Sequence, residues 1–197
     1  RNASNLSITT ATAAAIFLDG TMSEIKINVK DTQENIDDYN ATAGNNDYDD
    51  LNSNGESEYN AWFTYTTVEK NGSTVYTLTP AEHWVNDTSR NGDKINSASV
   101  RVGTSSSNRA YGNDDSVYIT VDTDVVDKDT RVGITETTGT YTGVQNVDLQ
   151  VYANSENALN SDIGIFACYD DDNYIIGAIV VGEDANATKN YAYVLDS

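Results

Sequence analysis

One cysteine, one histidine, one methionine and one proline stand among 197 residues, and each scarcity removes a class of chemistry. A lone cysteine forms no internal disulfide, so no disulfide framework holds this fold. Cys168 lies in an apolar run and reads as a buried, inert thiol rather than a nucleophile. One histidine with one cysteine falls short of the usual tetrahedral zinc set. His83, beside Trp84, is the sole imidazole available as a base near neutral pH, and it reads as a packed or solvated side chain.

Basic residues are also few. Eleven Lys and Arg face 31 Asp and Glu, a net charge of -20. Such a polyanion is repelled by phosphate backbones and anionic lipid, so neither nucleic acid binding nor direct membrane insertion is expected. No stretch approaches the roughly 18 apolar residues of a membrane span; the longest is "IIGAIVVG", 175 to 182. "ATAAAIFL" is short and follows a polar "NASNLSITT", so the chain is expected to be a mature or excised one. There is no G-x-S-x-G elbow, and the glycines stand singly at turns instead of cradling phosphate, so no organic cofactor is expected. Carboxylate pairs serve glycosidases, but with this many acids pairs arise by chance and none is marked. The chain is expected not to be an enzyme.

What is present is alternation. "EIKINVK" sets Ile25, Ile27 and Val29 opposite Glu24, Lys26, Asn28 and Lys30, the period of a strand with one wet face. With "AAIFL" and the Asp19-Gly20 turn it predicts a first hairpin. "AWFTYTTVEK" and "STVYTLT" around Asn71-Gly72 predict a second. "SASVRV", "DSVYITVDT", "VQNVDLQVYA" and "NYAYVL" read as further strands. "DIGIFACY" and "YIIGAIVVG", joined through Asp170 to Asn173, are apolar on both faces, which predicts a hairpin in the middle of a sandwich or barrel. Residues 31–58 are acidic and Asn-rich and read as a long loop. Short helical turns are expected within 81–93 and 154–162. The fold class is all-β: antiparallel sandwich or barrel-like modules with a long acidic loop and little helix. Pro80 suggests a first module over 1–80, carrying the insertion 31–58, and a second over 81–197. A single domain over 1–197 is the alternative.

The acidic excess, with sparse lysine and many oxygen-bearing side chains, favours a hard divalent cation, calcium, as the one cofactor. "DDLNSNGESEYN" begins like a calcium loop with Asp50, Asn52 and Asn54 ahead of Gly55. Ala61 stands where the closing carboxylate belongs, so this is no EF-hand, and an irregular site would add Glu56 or Glu58. Asp114 with Asp115, and Asp170, Asp171 and Asp172, are the other candidate ligand groups. Acceptor patterns for N-glycosylation begin at Asn2, Asn5, Asn40, Asn71, Asn86 and Asn186. Leu6, Ile8 and Thr10 alternate in the N-terminal arm, a candidate donor strand for the edge of another copy. Trp62, Tyr65, Tyr111, Tyr141 and Tyr174 are the aromatics that would line a glycan-binding surface in a rival, adhesive reading.

Four strings, "VYTLTPA" at 75–81, "YTGVQNV" at 141–147, "YDDDNYIIGAIVVGED" at 169–184 and "NYAYVL" at 190–195, give the chain a cadence. It resembles the extracellular β-rich region of S-layer-homology-domain-containing surface proteins of Gram-positive anaerobes, mainly Clostridia. The helical S-layer homology module itself is not in the chain. The resemblance implies a secreted, cell-surface structural glycoprotein that self-assembles into an S-layer-like sheet or filament. Its partners would be copies of itself and cell-wall or other surface glycans.

Overall fold

The computed structural model describes residues 8–43, 61–87, 94–96, 101–103, 109–125, 132–151 and 164–184. It divides into two compact units, one of Arg1–Phe17 with Thr21–Trp84 and one of Leu18–Gly20 with Val85–Ser197.

The first unit is a four-stranded sheet and a helix. β1 (Thr10–Ile16) and β2 (Met22–Asn28) form the first expected hairpin, in unbroken register from Thr10 opposite Asn28 to Ile16 opposite Met22. β3 (Phe63–Lys70) and β4 (Ser73–Pro80) form the second. Its two-residue turn has positive φ at both Asn71 and Gly72, the type I′ geometry whose twist suits a tight hairpin. The strand order is β1-β2-β4-β3, with β2 and β4 parallel. Ile25, Ile27 and Leu78 are buried on one face, with Ala13, Ala15, Phe17, Phe63 and Tyr76 packed around them.

Between β2 and β3 the expectation of a continuous acidic loop is wrong in its first half, because Val29–Ala43 is a helix, α1. Asn28 caps it. Its Oδ1 accepts from the Asp31 N–H at 3.3 Å while its Nδ2 donates to Asp31 Oδ2 at 2.7 Å, a reciprocal capping arrangement. Lys30 and Glu34 pair at 3.2 Å one turn apart on the wet side. Only Thr32 and Ile36 are buried, too narrow an apolar stripe to register as helical periodicity.

That stripe has a specific task. β2 ladders with β4 only at Lys26 opposite Val75 and Ile27 opposite Tyr76, so the next outward-facing backbone groups of β4, those of Leu78, lack a strand. α1 supplies the partners: the Leu78 N–H donates to Thr32 Oγ1 at 3.1 Å, and Asn35 Nδ2 donates to the Leu78 carbonyl at 2.9 Å. A buried N–H left without such an acceptor costs about 1–3 kcal/mol.

The second unit holds β5 (Trp84–Asp87), β6 (Lys94–Asn96), β7 (Arg101–Val102), β8 (Ala110–Tyr111), β9 (Val117–Val125), β10 (Val132–Thr142), β11 (Asp148–Val151), β12 (Ile165–Tyr169) and β13 (Ile175–Asp184). The main sheet runs β10-β9-β13-β11-β6, β12 pairs with both β13 and β5, and β7 pairs with β8. β13 is the hub. It lies parallel to β9 over Gly177 to Val181 and antiparallel to β12, and its end meets β11. There a Cβ on Gly182 would collide with the carbonyl oxygen of Gln150, so only glycine lets the backbones approach. Ile95, Tyr118, Leu149, Val151, Ile165, Ile175 and Val180 form the core around it. The double-sided apolar hairpin is therefore central to its sheet, the coarser part of what its sequence predicts.

The protein is strand-dominated, as expected, but three finer expectations fail. The sheets are mixed rather than antiparallel, since β2–β4 and β9–β13 run parallel. No barrel closes among the described strands. The expected helical turn within 81–93 is in part β5, because Val85 and Asp87 alternate inward. β10 was not legible as a strand at all. The segments 154–162 and 190–195 lie outside the described residues.

Candidate functional site

Sheet edges are the described features that most invite a partner, and their chemistry follows from which backbone groups face outward. In a two-residue hairpin the flanking residues exchange both hydrogen bonds, and bonded pairs then recur at every second residue. Lys70 opposite Ser73 is such a pair, so Val68, Thr66 and Thr64 turn their N–H and C=O toward β4. The Ala81 N–H bond to the Trp62 carbonyl at 3.0 Å continues the same parity. Tyr65, Thr67 and Glu69 therefore direct theirs away from β4, to the side on which no described strand pairs.

Over residues 63–68, β3 shows no charge, proline or bulge, and its two charges, Glu69 and Lys70, stand at the hairpin end. Thr64 to Glu69 are exposed, with Tyr65 at 51% and Val68 at 52%. β1, the other edge, is likewise uncharged and unbulged. The second unit differs. Its edge strand β10 is interrupted by two register shifts and carries Glu136, while β6 is three residues long and bears Lys94. Bulges, charges and shortness are the devices that keep edges from pairing.

The Tyr65 ring is pinned over its own sheet, 5.3 Å from Tyr76 and 5.7 Å from Phe17 between centroids. Glu69 is held from within the chain by the Thr74 hydroxyl, which donates to its Oε1 at 2.5 Å. The edge is thus presented by ordered side chains. In the N-terminal arm, Thr10 is built into β1 opposite Asn28, which corrects its reading as part of a free donor strand. Ile8 is half-buried just before it, and Leu6 lies outside the described residues.

Of the metal candidates, Asp50, Asn52, Asn54, Glu56 and Glu58 lie outside the described residues. In the loop ahead of β9, Asn113 Oδ1 accepts from the Asp115 N–H at 2.9 Å and from the Ser116 hydroxyl at 3.0 Å, leaving Asp114 and Asp115 exposed. At the β12–β13 turn, Asp170 Oδ1 accepts from the N–H groups of Asp172 and Tyr174 at 3.0 and 2.8 Å. Asn173 completes that turn at φ 65°. Asp171 and Asp172 are exposed. The oxygens of Asn113 and Asp170 thus serve the backbone locally as turn formers. Among the acceptor asparagines, Asn71 is exposed on its turn, Asn40 lies in α1 and Asn86 in β5. Asn2, Asn5 and Asn186 lie outside the described residues.

A parallel bridge brings Tyr111 and Tyr174 side by side, 38% and 44% exposed. Tyr141 packs instead against the second core. His83 is half-buried in the bend before β5.

Two buried groups titrate abnormally. Burial pushes the Tyr118 phenol up to about 12, offset only in part by the nearby Ser116 hydroxyl, and pushes the Cys168 thiol up to about 11. Tyr118 is wholly buried, and its hydroxyl makes no hydrogen bond of good geometry among the described residues. Cys168 is held as a neutral thiol at ordinary pH, the opposite of an activated nucleophile. Neither shift was legible in the sequence beyond the apolar company of Cys168.

No protein-family model, no curated protein and no solved structure matches the chain.

Proposed function

We propose that this protein is a non-enzymatic structural subunit that assembles with copies of itself through the edges of its first sheet. The observation that carries the reading is the contrast between edges: β10 is bulged and charged, whereas β1 and β3 are smooth and neutral over seven and six residues. The resemblance of four strings to S-layer-type surface proteins supports an extracellular setting, with the product a surface sheet or filament. Calcium, bridging exposed acids such as Asp114, Asp115, Asp171 and Asp172 between copies, would lower the cost of bringing polyanions together.

With a net charge of -20, long-range repulsion opposes association and salt screens it, the Debye length falling to about 8 Å at physiological ionic strength. Sedimentation velocity of the intact chain is expected to show association that strengthens as sodium chloride is raised, and strengthens again with millimolar calcium. A chain that stays monomeric at every salt and calcium concentration would exclude this function.

A further inference from the structure

From the parity of the β3 ladder we infer a particular contact between copies: β3 pairs antiparallel with β3 of a second copy, about a two-fold axis through Thr67. This pairing rests on the proposed assembly and specifies its first step.

The outward backbone groups of Tyr65, Thr67 and Glu69 are evenly spaced about Thr67. Two identical edges that pair antiparallel form an isologous contact, and the symmetric register that uses all three residues sets Thr67 opposite Thr67 and Tyr65 opposite Glu69 of the second copy. Each opposed pair exchanges two bonds, about six in all. On the other face Thr66 meets Val68, and Thr64 meets Lys70, of the second copy. Val68, among the most exposed apolar side chains at 52%, is thereby covered by a β-branched neighbour, a favourable cross-strand pair.

Charge selects the same orientation. Glu69 and Lys70 stand at one end of β3 and neutral residues at the other, so the antiparallel two-fold opposes no like charges. A parallel arrangement of two β3 strands in register would set Glu69 on Glu69 and Lys70 on Lys70. The resulting dimer joins the two four-stranded sheets into one and leaves a β1 edge at each end, through which the sheet can grow.

Disulfide trapping tests the register. In it, Cα atoms of opposed Thr67 residues sit about 5.5 Å apart, within disulfide reach, whereas Thr66 residues are offset from one another. Under mild oxidation in associating salt, Thr67→Cys is expected to yield roughly tenfold more cross-linked dimer than Thr66→Cys. The intact chain, whose Cys168 is buried, serves as the blank, and circular dichroism verifies that each variant is folded. If the intact chain associates but Thr67→Cys cross-links no better than Thr66→Cys, this contact is wrong and assembly uses another surface. If the intact chain does not associate at all, the proposed function falls with it.

Discussion

Thr67→Pro is expected to abolish pairing through β3, leaving at most pairs joined by β1, with the monomer still folded. The Thr67 N–H points away from β4, so proline there removes a donor to a neighbouring copy without removing a bond from the β3–β4 ladder. The preceding residue, Thr66, is already extended, as a residue before proline prefers. Thr66→Pro is the counterpart. Thr66 is opposite Thr77 with its N–H turned toward β4, and proline there removes that ladder bond and leaves its acceptor unpartnered, at a cost of about 1–3 kcal/mol. Sedimentation velocity with thermal melts separates the two outcomes: Thr67→Pro no larger than a pair of copies and with a near-native melting temperature, Thr66→Pro with a clearly lowered one. A Thr67→Pro protein that assembles as the intact chain does would remove β3 from the contact.

The second large effect is alkaline. The Cys168 thiol is raised to about 11 and the Tyr118 phenol to about 12. Both hold their protons more tightly folded than unfolded. Their contributions are therefore fully present below the unfolded values, 9.0 for the thiol and 10.0 for the phenol, and are lost as pH rises through the folded ones. Each shift corresponds to about 3 kcal/mol. Urea unfolding of the second unit should hold steady to about pH 9 and weaken steeply toward pH 12. Tyr118→Phe should flatten the upper part of that fall at little cost near neutrality, since it removes a hydroxyl with no well-formed hydrogen bond. A stability profile level to pH 11 would contradict the burial of both groups.

Where strands carried alternating side chains or two-residue turns, the sequence was readable. Asn71-Gly72 marked its hairpin, and the apolar faces of Ile175 to Val181 marked the central strand. β10 escaped because "TETTGTYT" has no apolar alternation: it is an edge, ordered by its ladder to β9 rather than by burial. α1 escaped because only Thr32 and Ile36 are fully buried, although Asn28 and Asp31 spelled its cap. Strand direction was not readable either, since a period of two is the same for parallel and antiparallel neighbours. The candidate site shows the same limit. The neutral run from Phe63 to Val68 stood in the sequence, but its meaning depends on β3 being last in the sheet, which is a matter of long-range order. Acidic strings carry a second meaning that the sequence did not display, because Asn113 and Asp170 use their oxygens to build turns.

Amide hydrogen exchange on matched monomeric and assembled samples reads the proposed contact residue by residue. The amides of Tyr65, Thr67 and Glu69 are expected to exchange readily in the monomer and to slow by roughly a hundredfold or more on assembly, as amides do on entering a stable ladder. Those of Thr64, Thr66 and Val68, already bonded to β4, should be protected in both. If assembly leaves the Tyr65, Thr67 and Glu69 amides exchanging as fast as they do in the monomer, the protein does not assemble through this edge.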